Sequence, residues 1–320
     1  MIIAEDKYGN RVNSIQQPSL MDSYFCPACK ASLIFKNGLV YTPHFAHRTL
    51  KDCHAWSENE SAQHLSLKLQ LFEWFHQSEK VELEKYLPEL EQTPDLLVND
   101  RIAIEIQCSS LSLKRLKERT ENYQAYGFKL IWLMGKDLWI KKGMTTLQKN
   151  LMGFSENRGF YFWELDEKNQ KLRLKSLIHE DLAHHTMYLT DVFEFQKGNL
   201  LSLLRLPFEK QKCPVLEIPE QDGKSQFDFI QRQLYHCAPS WLKKQALFYE
   251  NQKHLLDLDF SKKYVAPAGL DLLCFPFQKV EQKFIQLHHK DTIRYYQEYY
   301  RYFQTHHQSF LYPPYFYHTQ

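Results

Sequence analysis

A single carboxylate inside an otherwise aliphatic strand constrains this chain more than any other feature. In Arg101-Ile102-Ala103-Ile104-Glu105-Ile106-Gln107-Cys108 the alternation predicts a strand over 101–108. Ile102, Ile104 and Ile106 share one face; Ala103, Glu105 and Gln107 share the other. A strand buried through its Ile face carries a Glu opposite only where that second face meets solvent, a cleft or an ion.

The segment before it, Thr93-Pro94-Asp95-Leu96-Leu97-Val98, predicts a partner strand. Directly opposite residues of an antiparallel pair point the same way. A two-residue turn at Asn99-Asp100 would set Asp95 across from Ile104. A three-residue loop, Asn99–Arg101, sets Asp95 across from Glu105 and gathers Leu96, Val98, Ile102, Ile104 and Ile106 on the other face. Burial penalises a slip that would break that segregation, so the odd-length loop is expected. Two carboxylates converging at the end of buried strands suit Mg²⁺ or Mn²⁺, hard cations that keep reactive waters. The preceding helix, Ser57–Ser78, brings Glu60, His64 and Lys68 onto one face at i, i+4, i+8 and makes Glu60 a candidate third acidic residue. Ser57 with Glu60 also fits a capping box, and His64 also fits an ordinary helix face.

Around this pair the pattern reads α-β-β-β-α-β: the helix, strands Val81–Leu83, Thr93–Val98 and Arg101–Cys108, a basic helix Ser112–Tyr126 stopped by Gly127, and Lys129–Met134. The last strand is almost wholly apolar, which predicts a central position covered on both faces. Lys114, Arg115, Lys117 and Arg119 follow the carboxylate strand and are placed to hold phosphates; Glu118 and Glu121 offer the alternative of a solvated face. Ser109 and Ser110 read either as helix caps or as phosphate contacts.

Upstream, Met1–Glu5 and Arg11–Ile15 flank Tyr8-Gly9-Asn10, and Leu33–Lys36 and Leu39–Thr42 flank Asn37-Gly38, a strong hairpin signal. Cys26-Pro27-Ala28-Cys29, then His44-Phe45-Ala46-His47, then Cys53, have the ligand types and spacing of a structural zinc site. Two sets fit: Cys26, Cys29, His44 and His47, or Cys26, Cys29, His47 and Cys53. The tight histidine spacing favours the second. Seven cysteines without an apolar leader read as a reducing, cytoplasmic setting, where metal ligation precedes disulfides.

Beyond Gly135 a hairpin is expected at Phe160–Leu165 and Lys171–Leu177, with helices at Phe227–Tyr235, Pro239–Asp257 and Val280–Gln304. The segment from Tyr295 to Tyr317, interleaved with Arg294 and Arg301, reads first as helix packing and second as a stacking surface for unpaired bases. A hydrophobic content of 43% excludes a largely disordered chain. A net charge of +2 means any nucleic-acid site must come from local clustering. The longest apolar run, Leu130–Met134, is far short of the ~18 residues a membrane span needs, so no membrane partner is expected.

Pro94-Asp95 with Glu105-Ile106-Gln107 in that element order resembles the PD-(D/E)xK nuclease core. The finer string from Glu105 to Ser110, then Arg119, Tyr123 and Leu130-Ile131-Trp132-Leu133, resembles the competence protein CoiA family. So do the upstream Cys-Pro-x-Cys, the His-Phe-Ala-His and the Glu-x-x-x-His-x-x-x-Lys helix. The likeness covers roughly residues 1–140.

The resemblance implies an α/β, restriction-endonuclease-like αβββαβ core at 57–150 and a β-rich zinc-binding module at 1–56; beyond it the helical patterns predict a mainly helical, aromatic-rich portion at 151–320. It implies metal-dependent hydrolysis of DNA phosphodiesters during recombination of incoming single-stranded DNA, with Asp95 and Glu105 as Mg²⁺ or Mn²⁺ ligands and Gln107 at the third catalytic position. Lys114, Arg115, Arg119, Tyr123 and Ser109 are the expected DNA contacts. Gln107 departs from the usual Lys and brings no positive charge. That departure supports a rival: a non-catalytic DNA-binding adaptor that recruits recombination proteins.

Overall fold

Short alternating segments at the N-terminus build a five-stranded antiparallel sheet, ordered β2-β1-β3-β4-β5: β1 (Ile3–Glu5), β2 (Arg11–Asn13), β3 (Tyr24–Phe25), β4 (Ser32–Gly38) and β5 (Tyr41–His47). Gly9, at φ +84°, turns the chain between β1 and β2, where Asp6 accepts from the amides of Tyr8 and Asn10. The rings of Tyr24, Phe35 and Phe45 pack on one another beside Leu33, Cys26 and Cys53. The β4–β5 hairpin corrects the expected turn. Asn37 and Gly38 belong to β4, Gly38 pairs with Tyr41, and the register shifts between Lys36 and Gly38. That irregularity absorbs Asn37, so the strands run on until Leu33 pairs with His47.

In this computed structural model the described residues are 1–38, 41–48, 53, 60–155, 158–209, 215–218, 222–250, 252–261, 264–268 and 284–286. The chain divides into two compact units: Met1–Trp139, Trp163–Arg173 and Val192–Arg205 form one; Ile140–Phe162, Leu174–Asp191 and Leu206–Gln320 form the other. Among the described residues no helix is long and apolar enough to cross a membrane.

In the first unit the sheet just described is followed by α1 (Ala62–His76), β6 (Val81–Leu83), β7 (Leu96–Val98), β8 (Ile102–Gln107), α2 (Leu113–Ala125) and β9 (Lys129–Met134). The α1 boundary is a second correction. Ser61 is the N-cap, its side chain accepting from the His64 amide, so Glu60 precedes the helix and is no capping-box residue; Ser57 lies outside the described residues. Leu67, Leu71, Trp74 and Phe75 bury the inner face of α1. Ser112 caps α2, so neither Ser109 nor Ser110 does.

The antiparallel β7–β8 register runs Leu96↔Ile104, Leu97↔Ala103 and Val98↔Ile102, closed by the loop 99–101. Asn99 and Asp100 both adopt positive φ, at 48° and 58°, a region that Asn and Asp tolerate better than most residues. β9 runs parallel to β8, the crossover being α2, and its other neighbour contributes Glu164 opposite Met134. Leu97, Ala103, Tyr123, Phe128 and Leu130 form the core between this sheet and α2.

Residues 151–320 were expected to be mainly helical, and their first part is not. β10 (Gly153–Ser155), β11 (Gly159–Asp166), β12 (Lys171–Asp181) and β13 (Thr186–Glu194) are strands, because Leu172 and Leu174 alternate with Lys171, Arg173 and Lys175 at a period of two rather than 3.6. After α4 (Leu200–Arg205) and β14 (Val215–Glu217) come α5 (Gly223–Tyr235) and α6 (Pro239–Glu250). In the second unit Ile230, Trp241, Leu255 and Tyr264 share a core with Leu182. β15 (Val265–Pro267) pairs with β12 and β16 (Phe284–Gln286) with β14. The helix expected at Val280–Gln304 falls outside the described residues except for 284–286, which are strand; the Tyr-rich segment lies wholly outside them.

Candidate active site and metal centre

The cysteine–histidine spacing becomes a cluster because β5 carries His47 back beside the Cys26–Cys29 turn. Lys30, at φ +59°, helps fold that turn, with the Cys26 carbonyl accepting from the Lys30 amide at 2.9 Å. Cys26, Cys29, His47 and Cys53 bring one ligand atom each to within 4.8 Å of one another. Cys26 Sγ lies 4.0 Å from Cys53 Sγ, and Cys29 Sγ lies 3.4 Å from His47 Nε2. Tetrahedral zinc with Zn–S of about 2.3 Å sets donor atoms roughly 3.6–3.8 Å apart, a spacing that these two separations bracket, and three thiols with one imidazole are donors zinc prefers. Burial pushes the Cys26 thiol up to about 12 and the His47 imidazole down. Of the two ligand sets the sequence allowed, the structure gathers the one with Cys53. His44 turns away and donates through Nδ1 to the Thr42 carbonyl at 2.8 Å.

The acidic residues assemble at the start of β7. Asp95 is buried in the bend just before the strand. Its Oδ2 accepts from the Ile106 amide at 2.8 Å and lies 3.0 Å from His64 Nε2; its Oδ1 lies 2.9 Å from Lys68 Nζ. Glu60 joins the same pocket, 3.3 Å from His64 Nδ1 and in contact with both Lys68 Nζ and the Met1 α-amino group. Glu60, His64 and Asp95 form a second group that can hold a metal ion. Lys68 has no exposed side-chain surface and reaches a third carboxylate, Glu84 Oε1, at 2.7 Å.

Opposed forces set the charges here. Burial works against ionised Asp95, but His64 and Lys68 outweigh it and hold the carboxyl below its usual range. Burial alone would lower His64; Asp95, with help from Glu60, takes it up to about 9. Lys68 is desolvated too, and Asp95, Glu60 and Glu84 together raise it well above the ordinary ammonium value.

Glu105 is buried one strand over. Its Oε1 accepts from Arg119 at 2.5 Å and from the Tyr123 hydroxyl at 2.7 Å. Burial raises its pKa despite Arg119, while Glu105 in turn raises Arg119 against that guanidinium's own desolvation. Arg119 and Tyr123 therefore sit on Glu105 rather than on an open strand-binding surface. Among the described residues no group of three metal-type ligands includes Glu105. The Gln107 side chain donates to the Ser109 carbonyl at 3.0 Å. Lys114 and Lys117 lie on the outer face of α2 near Glu118 and Glu121, at 3.8 and 3.6 Å; Arg115 is half-buried, and Ser109 is exposed.

Lys68 entered the sequence reading as a helix-face spacing and as part of the Glu-x-x-x-His-x-x-x-Lys string, without a role, and Glu84 not at all. The signal for Lys68 was its i+4 relation to His64; nothing in Val81-Glu82-Leu83-Glu84 separates Glu84 from a solvated glutamate.

Two family models match the chain: "Competence protein CoiA, N-terminal domain" over residues 9–56, and "Competence protein CoiA, nuclease-like domain" over residues 60–206. A curated relative, competence protein CoiA of Bacillus subtilis (strain 168), is 37% identical over 116 residues, covering 35% of this chain and 31% of that protein. The matched stretch thus spans about a third of the relative's length. No solved structure matches.

Proposed function

Since the chain belongs to the competence protein CoiA family, we propose that it acts on DNA in natural transformation, as a metal-dependent nuclease hydrolysing phosphodiesters of incoming single strands in the cytoplasm. One observation carries the reading: Asp95, Glu60 and His64 converge within 4.8 Å at a strand end, beside a fully buried lysine. Asp95 and Glu60 offer the oxygen donors that Mg²⁺ or Mn²⁺ prefers, and His64 suits Mn²⁺. Such an ion, when bound, supplies a Lewis acid and an acidified water. Glu105, on the adjacent strand, adds the second carboxylate of the expected pair, held in orientation by Arg119 and Tyr123.

The positive charge absent at Gln107 comes instead from α1. The Lys68 ammonium, 2.9 Å from Asp95 Oδ1, is placed to stabilise negative charge developing on a phosphate bound at Asp95. Lys114, Arg115 and Ser109, on or just before α2, would hold the backbone of the strand. Zinc in the Cys26, Cys29, His47 and Cys53 cluster serves folding of the N-terminal module rather than chemistry, since all four positions are protein ligands.

The deciding experiment incubates labelled single- and double-stranded DNA with Mn²⁺, wild type beside Asp95→Ala and Glu105→Ala. Each variant is expected to lose cleavage by at least about 100-fold while retaining DNA binding. Wild-type protein that binds DNA yet leaves it intact with both Mg²⁺ and Mn²⁺ sinks the nuclease reading.

A specific observation favours the second reading, an adaptor. Both Asp95 oxygens are already engaged by Lys68, His64 and the Ile106 amide. Under that reading the ion pairs are structural, the zinc module recruits recombination proteins, and Glu105→Ala leaves transformation at the wild-type level provided the protein stays folded.

A further inference from the structure

Glu84 follows β6 with 1% of its surface exposed and a φ of 46°, in the left-handed region that L side chains seldom adopt. Its connections explain its place. Oε2 accepts from the backbone amides of both Ile2 and Ile3, at 2.7 and 2.8 Å, across 82 and 81 residues of chain. Oε1 accepts from Lys68 Nζ at 2.7 Å, and the Glu84 amide donates to the Asp95 carbonyl at 3.1 Å. One residue therefore touches the first strand of the N-terminal sheet, the lysine of the acidic pocket and the backbone of Asp95.

Lys68 has three carboxylate neighbours with different prospects. Glu60 and Asp95 belong to the group that can hold an ion; Glu84 does not. An ion drawing on Glu60 and Asp95 competes with Lys68 for their charge. A lysine ammonium on a flexible four-carbon stem keeps one position only if something fixes it there. Two amide donors converging on Oε2 fix the Glu84 carboxylate and leave Oε1 aimed at Lys68.

We propose that Glu84 is a positioning residue: it retains the Lys68 ammonium beside Asp95 when a divalent ion occupies the pocket, and it is itself held by the Ile2 and Ile3 amides of the N-terminal sheet. This deepens the metal-dependent reading and rests on it, but its test does not need DNA cleavage.

The full-length protein is treated with an amine-acylating reagent, and modification of Lys68 is read by mass spectrometry, with and without Mn²⁺. Hydrogen exchange at Ile2 and Ile3 is followed in parallel. Wild-type Lys68 resists the reagent in both conditions. Glu84→Gln keeps an oxygen for the Ile2 and Ile3 amides but offers Lys68 no charge. Its Lys68 is expected to be modified at least tenfold faster, faster still with Mn²⁺, while exchange at Ile2 and Ile3 stays near wild type. Glu84→Ala loosens both. A purely structural role would move the two readouts together in Glu84→Gln, which overturns the proposal; so does Lys68 modification equal to wild type. Where far-ultraviolet circular dichroism shows Glu84→Gln unfolded, Glu84→Asp, with the charge but a shorter reach, is read by the same criteria. A wild type that never cleaves DNA ends the nuclease reading and leaves these labelling outcomes to be judged separately.

Discussion

At the scale of single residues, buried charge is handled by local partners, and removing one partner is costly. Tyr123→Phe takes one donor from Glu105 and should cost roughly 1–3 kcal/mol in urea unfolding. Arg119→Ala leaves that carboxylate buried without its cation and should cost more, about 3–5 kcal/mol. His64 fixes a pH dependence. Its folded pKa, about 9, lies above the ordinary 6.5. The native state therefore binds more protons than the unfolded state between those values, and stability falls with rising pH across that window. The contribution is complete below about 6.5 and gone above about 9. Melting temperatures measured from pH 6 to pH 10 should decline across it, and His64→Gln should flatten the decline. A variant curve parallel to wild type would show that other groups are responsible.

Elements were legible where a pattern had one solution. The three-residue loop followed from sorting Leu96, Val98, Ile102, Ile104 and Ile106 onto one face, and the observed pairs have that register. Deleting Asp100 shifts the pairing by one residue and turns aliphatic side chains outward, so the variant should fail to show a cooperative unfolding transition. The start of α1 was not legible. Ser57 with Glu60 and Ser61 with His64 have the same spacing, and spacing alone does not tell which serine caps the helix. Ser61→Ala should cost about 0.5–2 kcal/mol, read in urea unfolding. The turn at Asn37-Gly38 was misplaced because a bulge can absorb a turn-like pair within a longer hairpin. β12 and β13 were under-read because strand alternation at Lys171–Lys175 was followed no further than Leu177. Glu84 could not be read from sequence, since its partners Ile2 and Ile3 lie some eighty residues away.

On the scale of the first unit, the N-terminal sheet and the acidic pocket are joined through Glu84. Zinc stripping should therefore be felt beyond the four ligands. A chelator is expected to raise hydrogen exchange at Ile2, Ile3 and Phe45, and Cys53→Ala should lower bound zinc from roughly one ion per chain to a small fraction of that, read by metal analysis. Unchanged exchange after complete removal would show that the sheet stands without the ion.

The engagement of both Asp95 oxygens has a consequence for when such a centre can fire. A pocket that has already quietened its own electrostatics gives a divalent ion little long-range pull. Under the proposed metal-dependent reading, entry would be a trade in which a proton leaves His64 while Glu84 keeps the Lys68 ammonium in place. On that proposed reading the resting pocket is latent by construction, its charges already satisfied by Lys68, His64 and the Ile106 amide.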